Sequence, residues 1–559
     1  MSDSALLDET TKIIESTNPS ESIKENVQQA VIEAFAKESG YTTDELSLDA
    51  HLENELGIDS ITLVSAIADL QKAFGLPENT QQLRFDNLTA VVAYFIELLA
   101  DAYPEGNWQA PTTASSNNVS IEADEIIDAI TPEAKTGSYQ ADDDLRTMQD
   151  FVNIEHPDLF YKTREFKNFY QKKKANNLYW YGMPLESACK NRATIYDEVA
   201  GKSREFLMFG SNSYLGLSAH PKVIDAIADA AKSYGATNTG CRIIAGSNVL
   251  HLELERKLAE LKGREAAIVY PSGYSANLGA ISALAGRNDL VFTDAINHMS
   301  ILDGCKLSGA KRKIYNHSMA SLETTLAKSA DHKGGKLIVT DGVFSMHGDI
   351  VDLPRLVQLA KQYDAKVLVD DAHSTGVLGK TGSGTTEHFN MKGEVDLELG
   401  TMSKALSGMG GFVCGDGDVV EYLRFYSNSY VFAATIPAPC AAGIIASIDI
   451  MRDEPERLKG LWDNIHYFRA KLLKLGFDLE KSESAIIPIV VGDDQLTLTF
   501  GRAVRARGMY CQTVVFPGVA VGDARLRISV TCEHTIDDLD QAVEILVDSA
   551  QEVGVIVTV

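Results

Sequence analysis

Residues 366–376 read KVLVDDAHSTG, in which a short apolar run with two β-branched residues is followed directly by two carboxylates and a histidine. The same design recurs in AAIVYPSG at 266–273 and in KLIVTDGVFS at 336–345. Such runs predict buried β-strands, and the segments between them have helical patterns. This alternation indicates an α/β fold with a mostly parallel sheet covered by helices. Ligands of such sheets bind at the carboxyl ends of the strands, where the polar residues stand here.

Length, charge and cysteine usage set outer limits on the protein. With 559 residues, the chain exceeds what one hydrophobic core usually serves, so we expect at least two folded units. A net charge of -27 would repel phosphates and argues against a nucleic-acid partner. The seven cysteines are scattered without metal-ligand spacing, which predicts reduced thiols, a cytoplasmic location and no metal. We also expect no signal peptide and no transmembrane segment.

The N-terminal region predicts a small all-α helix bundle. Apolar residues recur at helical spacing over Ile23–Gly40, a second helix begins near Ser60, and a third covers about Thr89–Ala102. Two stretches rich in polar residues, YPEGNWQAPTTASSNN from 103 and TPEAKTGSYQADDD from 131, predict a linker, with a short amphipathic helix at Glu122–Ala129 inside it.

Ser60 lies at the centre of HLENELGIDSITLVSAI, residues 51–67. By itself, a serine at a helix start is typical of an N-cap. The segment, however, resembles the attachment motif of acyl carrier proteins, and the resemblance covers about 80 residues. It implies that Ser60 carries a covalent 4'-phosphopantetheine arm, added by a separate phosphopantetheinyl transferase. The acidic residues before Ser60, without an intervening Lys or Arg, are usual for a carrier that docks on basic surfaces.

Four segments of the larger unit carry candidate chemistry: YPSGYSANLG at 270–279, TDAINHMS at 293–300, VLVDDAHSTG at 367–376 and ELGTMSKALSGMGGFV at 398–413. Each alone has an ordinary structural reading. The first could bind a phosphate through backbone N–H groups at a helix start. In the third segment, a carboxylate at the end of the apolar run could hold a pyridinium N–H. In the fourth, Lys404 could form a Schiff base.

Taken together, the segments from about Phe209 to the end resemble the α-oxoamine synthases, a family that uses pyridoxal phosphate (PLP). Further matching segments are FGSNSYLGLS, GATNTGCRIIAGS, VTDGVFSMHGD and RLRISVTCEHT, in family order over roughly 350 residues. The resemblance implies PLP fold type I, with a large domain and a smaller α+β C-terminal domain.

The resemblance also implies which residues would hold the PLP ring. Lys404 would form the Schiff base and then act as base and acid, and Asp370 would pair with the pyridine nitrogen. His373 would hydrogen-bond the ring 3'-oxygen, with Ser345 beside it, and His298 would stack on the ring and belong to the catalytic set.

The remaining implied contacts concern the phosphate and the amino acid. Ser272, Gly273 and Tyr274 would bind the phosphate together with Thr401, and Thr435 would reach it from the partner subunit. Arg527 would hold the amino acid carboxylate, and Asn212 is a weaker substrate-binding candidate. The chain departs from the pattern of many relatives at Asp341, at His347 and in the Pro-Ala-Pro that follows Thr435.

The implied reaction is a decarboxylative Claisen-type condensation of an α-amino acid with an acyl thioester on the carrier, giving an α-amino ketone and CO₂. The carrier suggests an acyl-loading enzyme as a further partner, and the family implies a homodimer. A PLP-dependent aminotransferase or decarboxylase of the same fold, or a non-catalytic scaffold subunit, is the alternative. The identity of the amino acid stays open, with serine or alanine favoured. The acyl chain length and the pathway product also stay open. It is likewise open whether the carrier serves its own subunit or the partner.

We therefore expect six regions: a flexible tail at 1–20, the carrier domain at 21–102, a linker at 103–144, an N-terminal arm at 145–205, the PLP-binding large domain at 206–450 and the small domain at 451–559.

Overall fold

The computed structural model describes residues 19–39, 43, 46–49, 52, 58, 60–76, 85, 87–102, 144 and 146–555. Contacts divide the chain into two compact units, Met1–Gln140 and Ala141–Val559. The predicted tail up to residue 18, the linker up to residue 143 and the short helix within it lie outside the described residues, so these boundaries stay predictions.

The described residues of the first unit form three α-helices, α1 (Pro19–Ser39), α2 (Ser60–Ala73) and α3 (Leu88–Ala102). They pack around one apolar core, in which Val31, Phe35, Leu70 and Phe95 are buried. The three predicted helices are thereby confirmed, and Ser60 is the first residue of α2.

The second unit is built on a seven-stranded sheet of order β3-β9-β8-β7-β6-β4-β5. Its strands are β3 (Ala266–Tyr270), β4 (Leu290–Asp294), β5 (Lys311–Tyr315), β6 (Lys336–Asp341), β7 (Lys366–Asp370), β8 (Leu397–Thr401) and β9 (Gly411–Gly415). Only β9 runs antiparallel to its neighbours, so the sheet is mostly parallel, as predicted. The three segments that the sequence marked as strands form β3, β6 and β7.

The central strands of this sheet are buried on both sides, since helices cover both of its faces. The helices of this part of the chain are α5 (Pro221–Tyr234), α6 (Val249–Lys262), α7 (Gly273–Leu284), α8 (Met299–Ser308), α9 (Met319–Lys328), α10 (Leu353–Gln362), α11 (Thr385–His388), α12 (Gly417–Tyr426), α13 (Asn428–Val431) and α14 (Ala438–Asp453).

Two three-stranded sheets complete the unit. One has the order β1-β2-β11 and the other the antiparallel order β10-β13-β12. The remaining elements are α4 (Tyr161–Ala175), β1 (Arg192–Asp197), β2 (Lys202–Met208), α15 (Glu456–Lys474), β10 (Ile486–Gly492), α16 (Asp494–Ala506), β11 (Met509–Tyr510), β12 (Gln512–Val514), β13 (Ala524–Ser529) and α17 (Ile536–Val553). The fold class that the resemblance implied, a large mostly parallel sheet followed by a small α+β region, is thus confirmed.

The N-terminal arm is anchored by Asp144, the last residue of the expected linker. Its carboxylate accepts hydrogen bonds from Arg146, at 2.8 and 2.9 Å, and its carbonyl oxygen accepts one from the buried Lys173, at 2.8 Å. Within the described part of the chain, no helix is long and apolar enough to cross a membrane.

Candidate active site

The predicted site residues meet at the carboxyl edge of the large sheet. Asp341, Asp370 and Thr401 are the last residues of β6, β7 and β8, and Asp341 is the register partner of Asp370. Lys404 follows Thr401 in the turn between β8 and β9. Because parallel strands end on the same edge, segments far apart in the sequence bring these side chains together.

Lys404 is a half-buried amine without a fixed partner. Among the described residues its ammonium forms neither an ion pair nor a hydrogen bond, although Asp370 and Asp341 lie close enough to influence it. Burial, aided by the charge of Arg527, lowers its pKa to about 8, and Asp370 acts against this. A lysine in this state has a substantial neutral fraction near neutral pH and is suited to Schiff-base chemistry.

Asp370 is buried and receives two hydrogen bonds. Asn277 Nδ2 donates to Oδ2 at 2.7 Å, and the Ala372 N–H donates to Oδ1 at 2.9 Å. Burial raises the pKa of Asp370, while these donors and the charge of Lys404 oppose that effect. Among the described residues no side chain donates to its neighbour Asp341, and burial together with Asp370 raises the pKa of Asp341 well above its usual value. The pair therefore favours one charge, on Asp370.

His298 is the N-cap residue of α8. Its backbone N–H donates to Asp341 Oδ2 at 2.8 Å, and its Nδ1 lies 2.7 Å from Ser300 Oγ. Burial and the charge of Lys404 lower its pKa. Asp341, which departs from the family pattern, thus holds the backbone at the position of the predicted ring-stacking histidine.

His373 is linked to the substrate side of the site through Tyr214. Tyr214 Oη lies 2.7 Å from His373 Nδ1 and donates to Asn212 Oδ1 at 3.2 Å. Burial, with the positive charges of Lys404 and Arg527, holds the pKa of His373 well below its ordinary value, so the ring is neutral. Burial also raises the pKa of Tyr214 to about 12, which keeps its hydroxyl protonated.

Arg527, on β13, is a buried guanidinium held only by neutral acceptors. Nε donates to the Ser345 carbonyl oxygen at 2.5 Å, and Nη1 donates to Gln512 Oε1 at 3.0 Å and to Asn212 Oδ1 at 3.3 Å. The side chain is buried, with 2% of its surface exposed, and within the described residues it forms no ion pair. A buried cation without a countercharge is costly, which is a strong indication that an anionic ligand belongs beside it.

The segment Ser272–Tyr274 begins α7. Ser272 Oγ accepts the Ser275 N–H at 3.0 Å, while the N–H groups of the first turn beyond the cap have no partner within the helix. A Cβ atom on Gly273 would lie 3.0 Å from Thr401 Cβ, and one on Gly411 would overlap the Ser272 carbonyl oxygen. The two glycines thus let the helix start lie close to the end of β8 and the start of β9, and a helix start of this kind can bind an anion through its backbone N–H groups.

Two predicted residues, Thr435 and Ser60, are not joined to this set by any hydrogen bond among the described residues. The Thr435 N–H donates to the Gly240 carbonyl oxygen at 3.2 Å, and its buried Oγ1 has no hydrogen-bond partner. Ser60 belongs to the other unit.

Several site residues were not selected by the sequence analysis: Tyr214, Asn277, Ser300, Gln512 and Ser529. All but Gln512 lie inside the quoted segments FGSNSYLGLS, YPSGYSANLG, TDAINHMS and RLRISVTCEHT, so the signal was present, but only the fold shows which of these side chains point to the site. Asp371 illustrates the same difficulty, because it turns away from the site and pairs with the buried Lys262 at 2.6 Å.

These residues fit PLP. Lys404, which has no partner among the described residues, supplies the amine, and the charged Asp370 suits the pyridine nitrogen. The neutral His373 suits the ring 3'-oxygen. The start of α7, with its glycine, suits the phosphate. The described residues contain no cluster of three or more His, Cys, Asp or Glu that could hold a metal ion.

Comparison with known families agrees with this geometry. Residues 204–546 match the family model "Aminotransferase class I and II", and residues 29–95 match "Phosphopantetheine attachment site". The first match spans more than half of the chain. The chain therefore belongs to the aminotransferase class I and II family, in its α-oxoamine synthase branch, with a carrier domain in front.

Individual relatives narrow the comparison. The chain is 68% identical over 528 residues to 4-hydroxy-2,2'-bipyrrole-5-methanol synthase PigH of Serratia sp., covering 94% of this chain and 81% of the relative. It is 43% identical over 350 residues to 8-amino-7-oxononanoate synthase 1 of Bacillus subtilis, covering 62% and 89%. A solved structure of serine palmitoyltransferase with PLP superposes with a TM-score of 0.68 at 31% identity, covering 71% of this chain and all of the other.

The protein is thus a PLP-dependent C-acyltransferase that condenses an amino acid with a carrier-tethered acyl group. The synthase relatives support condensation over the aminotransferase or decarboxylase alternative. The retained Lys404, with Asp370 opposite, opposes a scaffold role.

Proposed function

We propose that the enzyme condenses L-serine with a carrier-bound 3-oxoacyl thioester that bears a pyrrole ring. The products would be CO₂, the free carrier thiol and an α-amino ketone that retains the hydroxymethyl group of serine. Closure of this ketone to a second pyrrole would place the product in secondary metabolism.

The product named for the Serratia relative supports both substrates. In 4-hydroxy-2,2'-bipyrrole-5-methanol, the methanol carbon and the ring nitrogen are attached to one carbon, as in serine. The neighbouring hydroxyl-bearing carbon corresponds to the acyl carbonyl. Closing the ring requires the serine nitrogen to attack a second carbonyl two carbons further along and to lose water, which calls for a 3-oxoacyl chain ending in the first pyrrole.

The observation that carries the proposal is the buried, unpaired guanidinium of Arg527. We assign it to the carboxylate of the incoming amino acid, because a planar fork pairs well with two carboxylate oxygens. Asn212, Gln512 and the Ser345 carbonyl oxygen hold Arg527 in place, so little rotational freedom is lost when the carboxylate binds.

The remaining roles concern proton and charge placement. Bound at this site, PLP would act as an electron sink for the negative charge that develops at the amino acid Cα. Asp370 would hold a proton at the pyridine nitrogen, and Lys404 Nζ would take the Cα proton. His298 and His373 would contact the ring face and the 3'-oxygen, while Ser345 would lie next to the 3'-oxygen. The start of α7 at Ser272, Gly273 and Tyr274, together with Thr401, would bind the phosphate.

The carrier would deliver the acyl group from Ser60. Ser60 is the first residue of α2, and the positive end of a helix dipole favours an attached phosphate. This role requires a phosphopantetheinyl transferase and an acyl-loading enzyme as partners. All seven cysteines are free thiols, which supports a reducing, cytoplasmic setting.

We also propose a homodimer. Exposed apolar side chains flank the segment of Thr435, with Ile244 83% and Phe432 82% exposed. Contiguous exposed apolar groups of this kind mark interfaces. A partner subunit seated here would cover them and give the unpaired Thr435 hydroxyl access to the phosphate of the partner's site.

The test is a titration of the PLP-loaded enzyme with L-serine, L-alanine and glycine, followed by the visible absorbance of bound PLP. We expect saturable binding of serine, and turnover with serine in preference to the other two once a 3-oxoacyl carrier is supplied. Arg527→Lys should retain PLP but weaken serine binding by at least about tenfold, because lysine cannot form the bidentate pair. Arg507→Lys, on the surface of the small domain, serves as the matched control. Equal turnover of alanine, or unchanged serine binding in Arg527→Lys, would reject the proposal.

A further inference from the structure

Behind Asp370 and His298, two buried polar residues join them into one hydrogen-bonded chain. Asn277 Nδ2 lies 2.7 Å from Asp370 Oδ2 and 2.9 Å from Ser300 Oγ, and Ser300 Oγ lies 2.7 Å from His298 Nδ1. Asn277 and Ser300 are each 1% exposed, so water does not compete for these bonds. The chain spans α7, the end of β7 and the start of α8.

The direction of the hydrogen bonds follows from the number of hydrogens available. An amide nitrogen has two hydrogens, and both are used here, one toward Asp370 and one toward Ser300. The reversed amide would place its oxygen 2.7 Å from a carboxylate oxygen, where two acceptors repel. Asn277 therefore donates in both directions, and its Oδ1 is left buried without a partner.

Ser300 donates its hydroxyl hydrogen in the same direction, away from Asn277 and toward His298. Its oxygen already accepts from Asn277, so its single hydroxyl hydrogen is free to donate, and His298 Nδ1 at 2.7 Å is the acceptor in reach. The Ser300 backbone N–H points to the same nitrogen at 3.3 Å. Nδ1 is thus faced by two donors and cannot carry a proton without losing both bonds.

We propose that Asn277 and Ser300 are positioning residues that form a one-directional hydrogen-bond relay from Asp370 to His298, which fixes the imidazole proton on Nε2. The inference deepens the proposed function, because it rests on the roles given there to Asp370 and His298. The relay keeps a donor to Asp370 in place and presents His298 to the reacting groups as an Nε2–H donor. Burial, the main cause of the lowered pKa of His298, favours the neutral imidazole that this relay requires.

The direct test is the tautomer of His298 in the PLP-loaded full chain, labelled with ¹⁵N-histidine and assigned with His298→Gln. We expect an imine-type ¹⁵N signal for Nδ1 and a pyrrole-type signal for Nε2. Ser300→Ala should shift both signals toward each other, as the two tautomers mix, whereas Ser300→Thr, which retains the hydroxyl, should preserve the wild-type pattern. A wild-type protein protonated on Nδ1, or an unchanged pattern in Ser300→Ala, would overturn the relay.

Kinetics supply the second readout. Ser300→Ala should lower kcat by about tenfold, the effect of losing one hydrogen bond in the transition state, with a smaller change in KM. Its acid limb of activity should move to higher pH, because Nδ1 becomes free to accept a proton. Ser308→Ala, near the end of α8 with its hydroxyl on the Cys305 carbonyl oxygen, is the matched control and should match the wild type.

A third variant keeps the relay testable if Ser300→Ala does not fold. Asn277→Asp replaces two donors with acceptors, so the Ser300 hydroxyl would turn toward the new carboxylate and the pyrrole-type signal should move from Nε2 to Nδ1. Retention of the wild-type tautomer would count against the relay. Because the tautomer is measured without substrate, it is independent of whether serine and a 3-oxoacyl group prove to be the substrates.

Discussion

The chemistry at residue scale depends on opposing electrostatic effects at Lys404. Burial and Arg527 favour the neutral amine, and the carboxylates Asp370 and Asp341 favour the ammonium, with a pKa of about 8 as the result. At pH 7.5 roughly a quarter of such amines are neutral, against about one in a thousand for an ordinary lysine. The site thus maintains a nucleophilic amine without removing the countercharge that a pyridinium requires.

Capture of PLP by the cofactor-free enzyme should therefore accelerate with rising pH, with a midpoint near 8. Asp370→Asn removes a charge that raises the pKa and should move the midpoint to lower pH. Arg527→Gln removes a charge that lowers it and should move the midpoint to higher pH. Stopped-flow absorbance after mixing with PLP measures the rates, and shifts of the same sign in the two variants would contradict this electrostatic account.

At the scale of elements, the strands could be predicted and the side-chain pairings could not. The apolar runs of β3, β6 and β7 are short, contain β-branched residues and end in polar residues, and this combination favours a buried strand over a buried helix. Ser300, by contrast, is one of several serines near helix starts, and its contact with Asn277 depends on how α7 and α8 pack. Likewise, nothing in the pair Asp370–Asp371 tells which carboxylate faces the site and which meets Lys262.

One pairing of this kind links β4 to the loop after β6. His317 Nδ1 lies 3.0 Å from Asp294 Oδ2, and its Nε2 lies 2.6 Å from Asp349 Oδ2. Burial acts to lower the pKa of His317, but these two carboxylates outweigh it and raise the pKa to about 10. The neighbouring His347 is neutral, because burial and the charge of Arg525 lower its pKa to about 4.

His317→Gln should therefore lower the melting temperature in a pH-dependent way. The folded state binds the proton more tightly than the unfolded chain, so the stabilisation is complete below the ordinary histidine pKa of about 6.5. It declines as the pH rises and is lost once the pH passes about 10. The difference in Tm between wild type and variant should be largest near pH 6 and should vanish above pH 10. A difference that grows with pH would show that the proton is not held as the geometry indicates.

At the scale of the whole molecule, the first question is whether one chain makes a complete site. Thr435 forms no hydrogen bond to a residue of the site among the described residues, and its buried hydroxyl has no hydrogen-bond partner among them. Ile244 and Phe432 beside it are the kind of anchors that a self-complementary interface buries. The sequence pointed to Thr435 through family resemblance alone, since no local pattern encodes a residue that acts in a neighbouring subunit.

Ile244→Asp and Phe432→Asp should shift the protein from dimer to monomer, because burying a lone carboxylate at an apolar interface is costly. Turnover should fall in proportion to the fraction of dimer that is lost. Light scattering after size-exclusion chromatography gives the mass, and the amino ketone assay gives the rate. Leu159→Asp, at an exposed apolar residue of the N-terminal arm, is the control and should remain dimeric and active. A wild-type protein that is fully active as a monomer would refute the shared site.

The second question at this scale is what the carrier gains from being part of the same chain. A tether confers an effective concentration of about mM, so at about 10 μM protein a self-loaded chain should turn over on the order of 100-fold faster than one supplied by a separate carrier at that concentration. Ser60→Ala should retain PLP absorbance but lose self-loaded turnover entirely. Mixing Ser60→Ala with acyl-loaded Lys404→Ala separates the two functions, since one chain keeps the PLP site and the other keeps the arm. The mixture should be slow and should accelerate with protein concentration, whereas turnover per self-loaded wild-type chain should not change. If the mixture matches the wild type at every concentration, tethering within one chain contributes nothing, and the carrier acts as a free donor or, after subunit exchange, on the site of the partner subunit.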